Sequence, residues 1–561
     1  MSLDSGTIFR WFEKRAKHRP GISVSFVTLA ASLWFLLLDN RSFWSTIFRI
    51  VEGQGAHGAL VVASLFVAFL LLFNLLLGLV CFPGTTKPVL IVLFVTASTA
   101  AYFMNQYGVM LDRGMIHNVF ATDPREVRDL LSLKLFLYIL VLGVLPSVLA
   151  LWIRIDYHGL WRGLLIRLGW MAGTALAVGA IVFVFYQDYA SIFRNHREIR
   201  FLLTPTNYLN AIRGLAMDRL AQPKEVRVIG EDARRGGSRP AGGKKALAVI
   251  VVGETARAAN FSLGGYARQT NPLLARQDII YYANTSSCGT DTASSVPCMF
   301  SDLGAAGYSD DKVARQQDLL DVLKRAGIAV LWRDNNSGCK GVCDRVDYQD
   351  VAAFKSPALC RPDECYDEIL LEKLQDYLDG LDRDAVIVLH QKGSHGPAYY
   401  LRYPDKFAVF TPVCRTNQLA KCGRAEIVNA YDNTILYTDY FLDRAITLLK
   451  RNAGRFDASL IYMSDHGESL GENNLYLHGL PRMFAPVEQT HVPFVLWLSK
   501  GTLESQGLDR KCLEARRQDP YSHDNLFHSV LGLMDVQTKI YRPELDIFRS
   551  CLTAGQKPMG K

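Results

Sequence analysis

Long stretches in the first third of the chain have no charged side chains. Between Ala59 and Leu72 the one polar side chain is that of Ser64. Buried helices of soluble bundles keep a polar face, so this composition argues against such a bundle and favours membrane spans. Five apolar runs before residue 190 have about the length that crosses a bilayer core. They are residues 22–38, 58–82, 88–105, 134–153 and 168–186.

The sequence also has no small-residue cleavage site after Leu38, so we expect the first run to remain as a span and not to act as a cleaved signal. Basic residues precede this run at Arg10, Lys14, Arg15, Lys17 and Arg19. Because basic residues beside spans are retained in the cytoplasm, they predict a cytoplasmic N-terminus. Five spans then place everything after about residue 187 outside the inner membrane.

Cysteine is almost absent from the first 287 residues, where Cys81 in a predicted span is the exception. The other ten cysteines follow, and their spacing predicts five disulfides. Zinc knuckles or free thiols are the alternatives, but the cysteines lie in separate loops of an enzyme-sized domain. Disulfides belong to oxidising compartments such as the periplasm, which agrees with the predicted topology. The expected pairs are Cys288–Cys298, Cys339–Cys343, Cys360–Cys365, Cys414–Cys422 and Cys512–Cys551.

Between the spans and the last domain lies a basic segment, residues 188–245. Residues 189–220 alternate apolar and arginine side chains, which suits helices on the membrane surface or helices packed on the soluble domain. Residues 222–245 are rich in Gly, Arg and Pro and are predicted to be a linker. The formal charge of +8 needs no nucleic-acid partner, because anionic lipid surfaces explain basic residues near a bilayer.

From residue 246 to 561, strand-like apolar runs alternate with helical patterns. This alternation predicts an α/β domain with a largely parallel sheet and helices on both faces. The expected strands are residues 246–253, 279–283, 328–332, 385–390, 458–464 and 492–498. Ligands of such sheets collect at the carboxyl ends of the strands. The predicted organisation is therefore a membrane domain over 1–187, surface helices and linker over 188–245, and a catalytic domain over 246–561.

Four residues near strand ends form the candidate site: Glu254, Thr292, Asp465 and His466. Taken singly, a glutamate that ends a strand is more often a cap or salt-bridge partner, and a threonine after a loop is more often an N-cap. Taken together, they offer the four ligands of a zinc site. Zinc would also favour the deprotonated hydroxyl that a threonine nucleophile needs. His390, His395, His478 and His491 lie near these motifs, and each is as consistent with structure as with the site.

Several long motifs are similar to those of the bacterial phosphoethanolamine transferases, in the alkaline phosphatase and sulfatase-like superfamily. The motifs span residues 253–260, 265–272, 287–301, 332–336 and 464–472. The resemblance covers nearly the whole chain and implies a five-span helical membrane domain joined to an α/β periplasmic domain of alkaline phosphatase/sulfatase-like type. It also implies that Glu254, Thr292, Asp465 and His466 hold the catalytic zinc. His395 and His478, with His390 as a weaker candidate, match positions that contact the phosphoryl group or a second zinc.

The resemblance implies that phosphoethanolamine is taken from phosphatidylethanolamine, held on Thr292 and passed to an acceptor. The sequence looks most like the branch that modifies lipid A and confers polymyxin resistance, and we expect a monomer with one zinc ion or two. Other acceptors in the family are core heptose, periplasmic glucans and protein. A periplasmic phosphatase or sulfatase would share the metal ligands, whereas a membrane scaffold would not need all four together.

Overall fold

The computed structural model describes residues 20–122, 124–157, 159–220, 225–237, 243–362 and 364–553. The basic cluster before the first span, Arg10 to Arg19, lies outside the described residues. The chain divides into two compact units. The first contains the residues up to Arg113 and Leu131–Gly214, and the second contains Gly114–Leu130 and the residues from Leu215 onward.

The first unit is helical. Among the described residues, four helices are long and apolar enough to cross a membrane, and a fifth span results if two helices bent by 68° are counted as one. The four are Gly55–Val80, Thr86–Tyr107, Leu133–Trp152 and Trp161–Val184, and the bent pair is Val24–Asp39 with Arg41–Ile50. After the last span the chain forms the helices Tyr186–Asn195 and Thr206–Leu220. All five predicted runs therefore coincide with apolar helices.

The second unit is built on a seven-stranded sheet. Its strands are β1 (Lys245–Gly253), β2 (Ile279–Tyr282), β3 (Ala329–Asp334), β4 (Asp347–Asp350), β5 (Ala385–His390), β6 (Phe456–Ser464) and β7 (Phe494–Leu498). Their order in the sheet is β2-β7-β6-β1-β5-β3-β4. The five strands from β6 to β4 are parallel, and β7 is antiparallel to both of its neighbours. The predicted sheet is thus confirmed as largely parallel.

Both faces of this sheet are buried. Along β1, Leu247, Val249 and Val251 contribute to one apolar core, and the alternate residues Ala248, Ile250 and Val252 contribute to the other. This two-sided burial explains why β1 is an unbroken apolar run, as parallel strands between helical layers usually are. After residue 245, the longer helices of the unit are Thr292–Met299, Leu319–Arg325, Arg424–Arg451, Lys500–Gln506 and Asp524–Leu533.

Five disulfides cross-link the loops of this unit, and Cys81 of the first unit is a free buried thiol. The bonded pairs are the five that the spacing predicts. Four of them close loops of 4 to 10 residues. Such short loops remove little entropy from the unfolded chain, so these disulfides mainly fix the local backbone. Cys288–Cys298 encloses the loop that leads into the helix beginning at Thr292.

The segment predicted as a linker is packed where the structure describes it. Ile229 is buried in the core of the second unit, and Arg235 forms an ion pair with Asp384. Residues Arg234–Arg235 also pair with the short strand Val536–Gln537. The composition of this segment predicted that it would bury no core of its own. A few apolar side chains and backbone pairing nevertheless fix residues 225–237 to the second unit. The functional division at residues 187 and 245 stays a prediction.

Candidate active site

Glu254 and the pair Asp465–His466 are brought together by the sheet. Glu254 follows β1 directly, and Asp465 and His466 follow β6 directly. The two strands are parallel neighbours in which Gly253 lies opposite Ser464, so both strands end at the same level of the sheet. Gly467 lets the loop pass close to the backbone of Glu488, because a Cβ atom there would lie 2.0 Å from the Glu488 carbonyl oxygen.

Thr292 reaches the same place from the first turn of a helix. The helix begins at Thr292, and its N-cap, Asp291, accepts a hydrogen bond from the Ser294 N–H at 2.9 Å. The Thr292 Oγ1 lies 3.1 and 3.2 Å from the two carboxylate oxygens of Glu254 and 3.4 Å from Nε2 of His466. The four residues named from the sequence therefore converge, and all four are buried.

The candidate ligand atoms lie close enough together to hold a small cation. Oxygen or nitrogen atoms of Glu254, Asp465 and His466 lie within 4.8 Å of one another. The His466 Nδ1 donates to the Gly467 carbonyl oxygen at 2.9 Å, so Nε2 is the ring nitrogen that a metal ion would bind once the ring is neutral. Oδ2 of Asp465 is buried and accepts no hydrogen bond. A buried oxygen of this kind costs free energy unless a cation occupies the space beside it.

The electrostatics agree with that interpretation. Burial alone would raise the pKa of Glu254, but the hydrogen bond and charge of His466 lower it well below its ordinary value. Burial and the charge of Glu254 raise the pKa of Asp465 to about 7. Burial disfavours charged His466, yet Asp465 and Glu254 raise its pKa to about 10. Without a cation the cluster therefore retains protons, and a divalent cation would compensate the same negative charge. Carboxylate oxygen and imidazole nitrogen are ligands that zinc accepts.

Two family models match the chain. The sulfatase model matches residues 246–536, and the model for phosphoethanolamine transferase EptA/EptB matches residues 69–220. Over 541 residues the chain is 42% identical to phosphoethanolamine transferase EptA of Escherichia coli strain K12, covering 96% of this chain and 99% of that protein. The chain belongs to the phosphoethanolamine transferases.

Two further comparisons support this membership over the full length. The transferase is 38% identical to phosphatidylethanolamine transferase Mcr-1 of Escherichia coli, with 92% of this chain and 96% of that protein covered. Among solved structures, it resembles the integral membrane lipooligosaccharide phosphoethanolamine transferase A of Neisseria meningitidis. That match has a TM-score of 0.92 and 38% identity, and it covers 95% of this chain and 100% of the other. The resemblance to this integral membrane protein therefore extends over both units.

The predicted histidines of the transferase separate into two groups. His478 packs beside His466, with ring centroids 4.4 Å apart, and His395 packs beside His478 at 5.5 Å. His390 is separated from Glu254 by the side chain of Asn336. The His390 Nδ1 lies 2.9 Å from Oδ2 of Asp334, and its Nε2 lies 3.2 Å from the amide nitrogen of Asn336, which donates to Glu254. His491 lies at hydrogen-bond distance from the Ala283 carbonyl oxygen, a structural role.

Glu468 is a site residue that sequence reasoning missed. Its side chain is fully buried, neither carboxylate oxygen has a hydrogen-bond partner, and Oε1 lies 3.5 Å from Nδ1 of His478. Burial raises the pKa of Glu468, an effect that the charge of His478 opposes. The available signal was its position two residues after His466, in the loop that already supplies two of the candidate ligands.

Residues around Glu254 fix the direction of its carboxylate. Thr255 donates to Oε1 at 2.6 Å, and the amide of Asn336 donates to Oε2 at 2.6 Å. Thr255 has a φ of 60°, which is unusual for a β-branched residue. In this conformation its N–H also donates to Asp465 at 3.1 Å. Strained backbone of this kind persists where the surrounding structure imposes it, commonly at functional sites.

Proposed function

We propose that this transferase moves phosphoethanolamine from phosphatidylethanolamine to the lipid A part of lipopolysaccharide through a covalent intermediate on Thr292. The observation that carries the proposal is the position of the Thr292 hydroxyl. It is buried at a helix N-terminus, within 3.4 Å of side-chain atoms of Glu254 and His466, two of the candidate zinc ligands. A hydroxyl held this way is suited to nucleophilic attack on a phosphoryl group.

Glu254, Thr292, Asp465 and His466 would hold one zinc ion. The fit rests on the converging ligand atoms, the buried oxygen of Asp465 that accepts no hydrogen bond and the position of His466 Nε2 in the site. A bound zinc ion would supply Lewis-acid charge that lowers the pKa of the threonine hydroxyl and polarises the phosphoryl group.

The protein's own groups perform the other tasks. Glu254 orients the Thr292 hydroxyl as hydrogen-bond acceptor while Thr255 and Asn336 hold the carboxylate from behind. The N–H groups of the first helical turn point their positive dipole end at the developing negative charge. His478 and His395, next to His466, are placed to contact the phosphoryl oxygens. Glu468, whose carboxylate oxygens accept no hydrogen bond and lie beside His478, would also permit a second zinc ion there.

A covalent intermediate suits the two lipids that react. Donor and acceptor are both bulky amphiphiles, and one crevice can hardly align two of them in line. On Thr292 the transfer divides into two displacements: the threonine oxygen bonds to phosphorus as the diacylglycerol oxygen leaves, and the acceptor oxygen later displaces threonine. Each step needs a single lipid at the site. We propose that a monomer with five inner-membrane spans performs both steps at the periplasmic surface.

An acceptor of the lipopolysaccharide class is supported by a structural relative, since the transferase from Neisseria meningitidis is named for lipooligosaccharide. Adding phosphoethanolamine masks phosphate charge, so the modified surface would bind less polymyxin, a cationic peptide. Cells that express the transferase should yield lipid A carrying phosphoethanolamine in mass spectra, and cells with the Thr292→Ala chain should not. An unchanged lipid A spectrum with modified core heptose or glucan would refute the acceptor. Release of free phosphoethanolamine into water, without any modified acceptor, would identify a hydrolase.

The role of Thr255 gives a further prediction. Thr255→Val keeps the side-chain volume but loses the hydroxyl that orients Glu254, so zinc affinity should fall about 10- to 100-fold. Thr255→Ser keeps the hydroxyl and should bind zinc as the unaltered chain does. Competition with a chelator of known affinity measures both dissociation constants. Equal affinity of the valine and serine variants would show that this hydroxyl does not position the ligand.

A further inference from the structure

His523 is a buried histidine that the reaction as described does not use. It precedes the helix Asp524–Leu533, and its imidazole is fully buried. The neighbouring residues Tyr521–Ser522 pair in parallel with Thr285–Ser286, the short strand that leads into the Cys288–Cys298 loop. His523 therefore lies beside the chain that delivers the nucleophile, and it belongs to neither the ligand set nor the His395–His478 pair.

Three hydrogen bonds connect His523 to both halves of the site. Its backbone N–H donates to the Ser286 carbonyl oxygen at 3.1 Å. The ring Nδ1 accepts from the Cys288 N–H at 3.1 Å, and Nε2 lies 2.9 Å from the Ser464 carbonyl oxygen. Since a carbonyl oxygen can only accept and a backbone N–H can only donate, the two ring partners specify one neutral tautomer. Burial lowers the pKa of His523 to about 3, so this form persists at neutral pH.

The two ring partners stand next to the reacting groups in sequence. Cys288 lies four residues before Thr292, and Ser464 directly precedes Asp465. We propose that His523 is a positioning residue that sets the distance between the nucleophile loop and the strand end carrying Asp465 and His466. The inference rests on the proposed function, in which Thr292 is the nucleophile. No other side chain in the described part of the chain is hydrogen-bonded to both the Cys288 N–H and the Ser464 carbonyl oxygen.

A histidine within the helix that follows His523 provides a matched control. His528 is also buried, and its Nδ1 accepts a hydrogen bond from the Arg542 N–H at 3.2 Å. Both His523→Phe and His528→Phe remove imidazole hydrogen bonds to the backbone while keeping a ring of similar size. His523→Asn is a milder variant, because its amide oxygen can replace Nδ1 as acceptor for Cys288 although the bond to Ser464 is lost.

The experiment uses the full chain in detergent with phosphatidylethanolamine and no acceptor. Formation of the covalent adduct on Thr292 is followed in a single turnover, and zinc content is measured for every variant. We expect His523→Phe to form the adduct about 10- to 100-fold more slowly than His528→Phe at equal zinc content, because small misplacements of reacting groups cost rate of this order. The asparagine variant should lie between the two.

Amide hydrogen exchange adds a readout that does not depend on activity. The peptide containing Cys288 should exchange faster in His523→Phe than in His528→Phe, and His523→Asn should restore part of the protection. Equal adduct rates and equal exchange in the two phenylalanine variants would overturn the inference. If His523→Phe does not fold, the same comparison is made with His523→Asn, and rates and exchange equal to those of His528→Phe overturn it. An unaltered chain that forms no adduct on Thr292 would instead refute the proposed function.

Discussion

Replacing Thr292 with alanine is expected to lower phosphoethanolamine transfer by about three orders of magnitude or more, since removal of a nucleophile commonly has effects of this size. The side chain is small and 7% exposed, and its hydroxyl contacts only site residues, so the fold should remain. Thr292→Ser keeps a hydroxyl and should retain measurable transfer. Rates with a fluorescent phosphatidylethanolamine and purified full-length chain measure both effects.

Thr502→Ala is the matched control for this series. Thr502 is also buried, and its hydroxyl donates to the Ala458 carbonyl oxygen at 2.9 Å, near the start of β6 and away from the strand end with Asp465. It should cost about 1 kcal/mol of stability and no activity. If the Thr292→Ala variant transfers phosphoethanolamine as fast as the Thr502→Ala variant, Thr292 is not the nucleophile.

Replacing Glu254 with glutamine is expected to lower zinc affinity by more than about 100-fold, because outer-shell partners alone are worth about 10- to 100-fold. The change conserves shape but removes one of the two candidate carboxylate ligands. Transfer should fall with zinc occupancy and recover partly at high zinc concentration. Equilibrium dialysis followed by metal analysis gives the affinity directly.

Asp439→Asn is the control for loss of a buried carboxylate. Asp439 accepts hydrogen bonds from the Leu273 and Leu274 N–H groups and has no contact with the ligand cluster. The variant should lose stability and keep its zinc. If Glu254→Gln binds zinc as tightly as Asp439→Asn does, Glu254 is not a ligand.

Much of the site could be predicted because its residues follow buried strands. The apolar runs before Glu254 and Asp465 each specify a central strand, and neighbouring parallel strands end at one edge of the sheet. The sequence indicates Thr292 less strongly, since its helix is short and its loop is held by tertiary contacts, and the family resemblance supports its place in the site. The membrane spans could also be predicted from the sequence, because a lipid bilayer requires long apolar runs without charged side chains.

Other features depend on tertiary contacts that a single sequence does not reveal. Asp347–Asp350 is a polar, mostly exposed edge strand, so no apolar run marks it. The antiparallel direction of β7 follows from its connections and not from its composition. Glu468 and His523 resemble ordinary polar residues until the structure shows that both are fully buried. His390 matched the motif, yet the structure places it behind Asn336 and not against Thr292.

The most direct test of the central claim is mass spectrometry of the full-length chain after incubation with phosphatidylethanolamine and without an acceptor. The account predicts release of diacylglycerol and a peptide containing Thr292 that is heavier by one phosphoethanolamine group. Adding lipid A should then remove that group from the peptide and place it on the acceptor. Transfer to lipid A without any adduct, or with the adduct on another residue, would contradict the account.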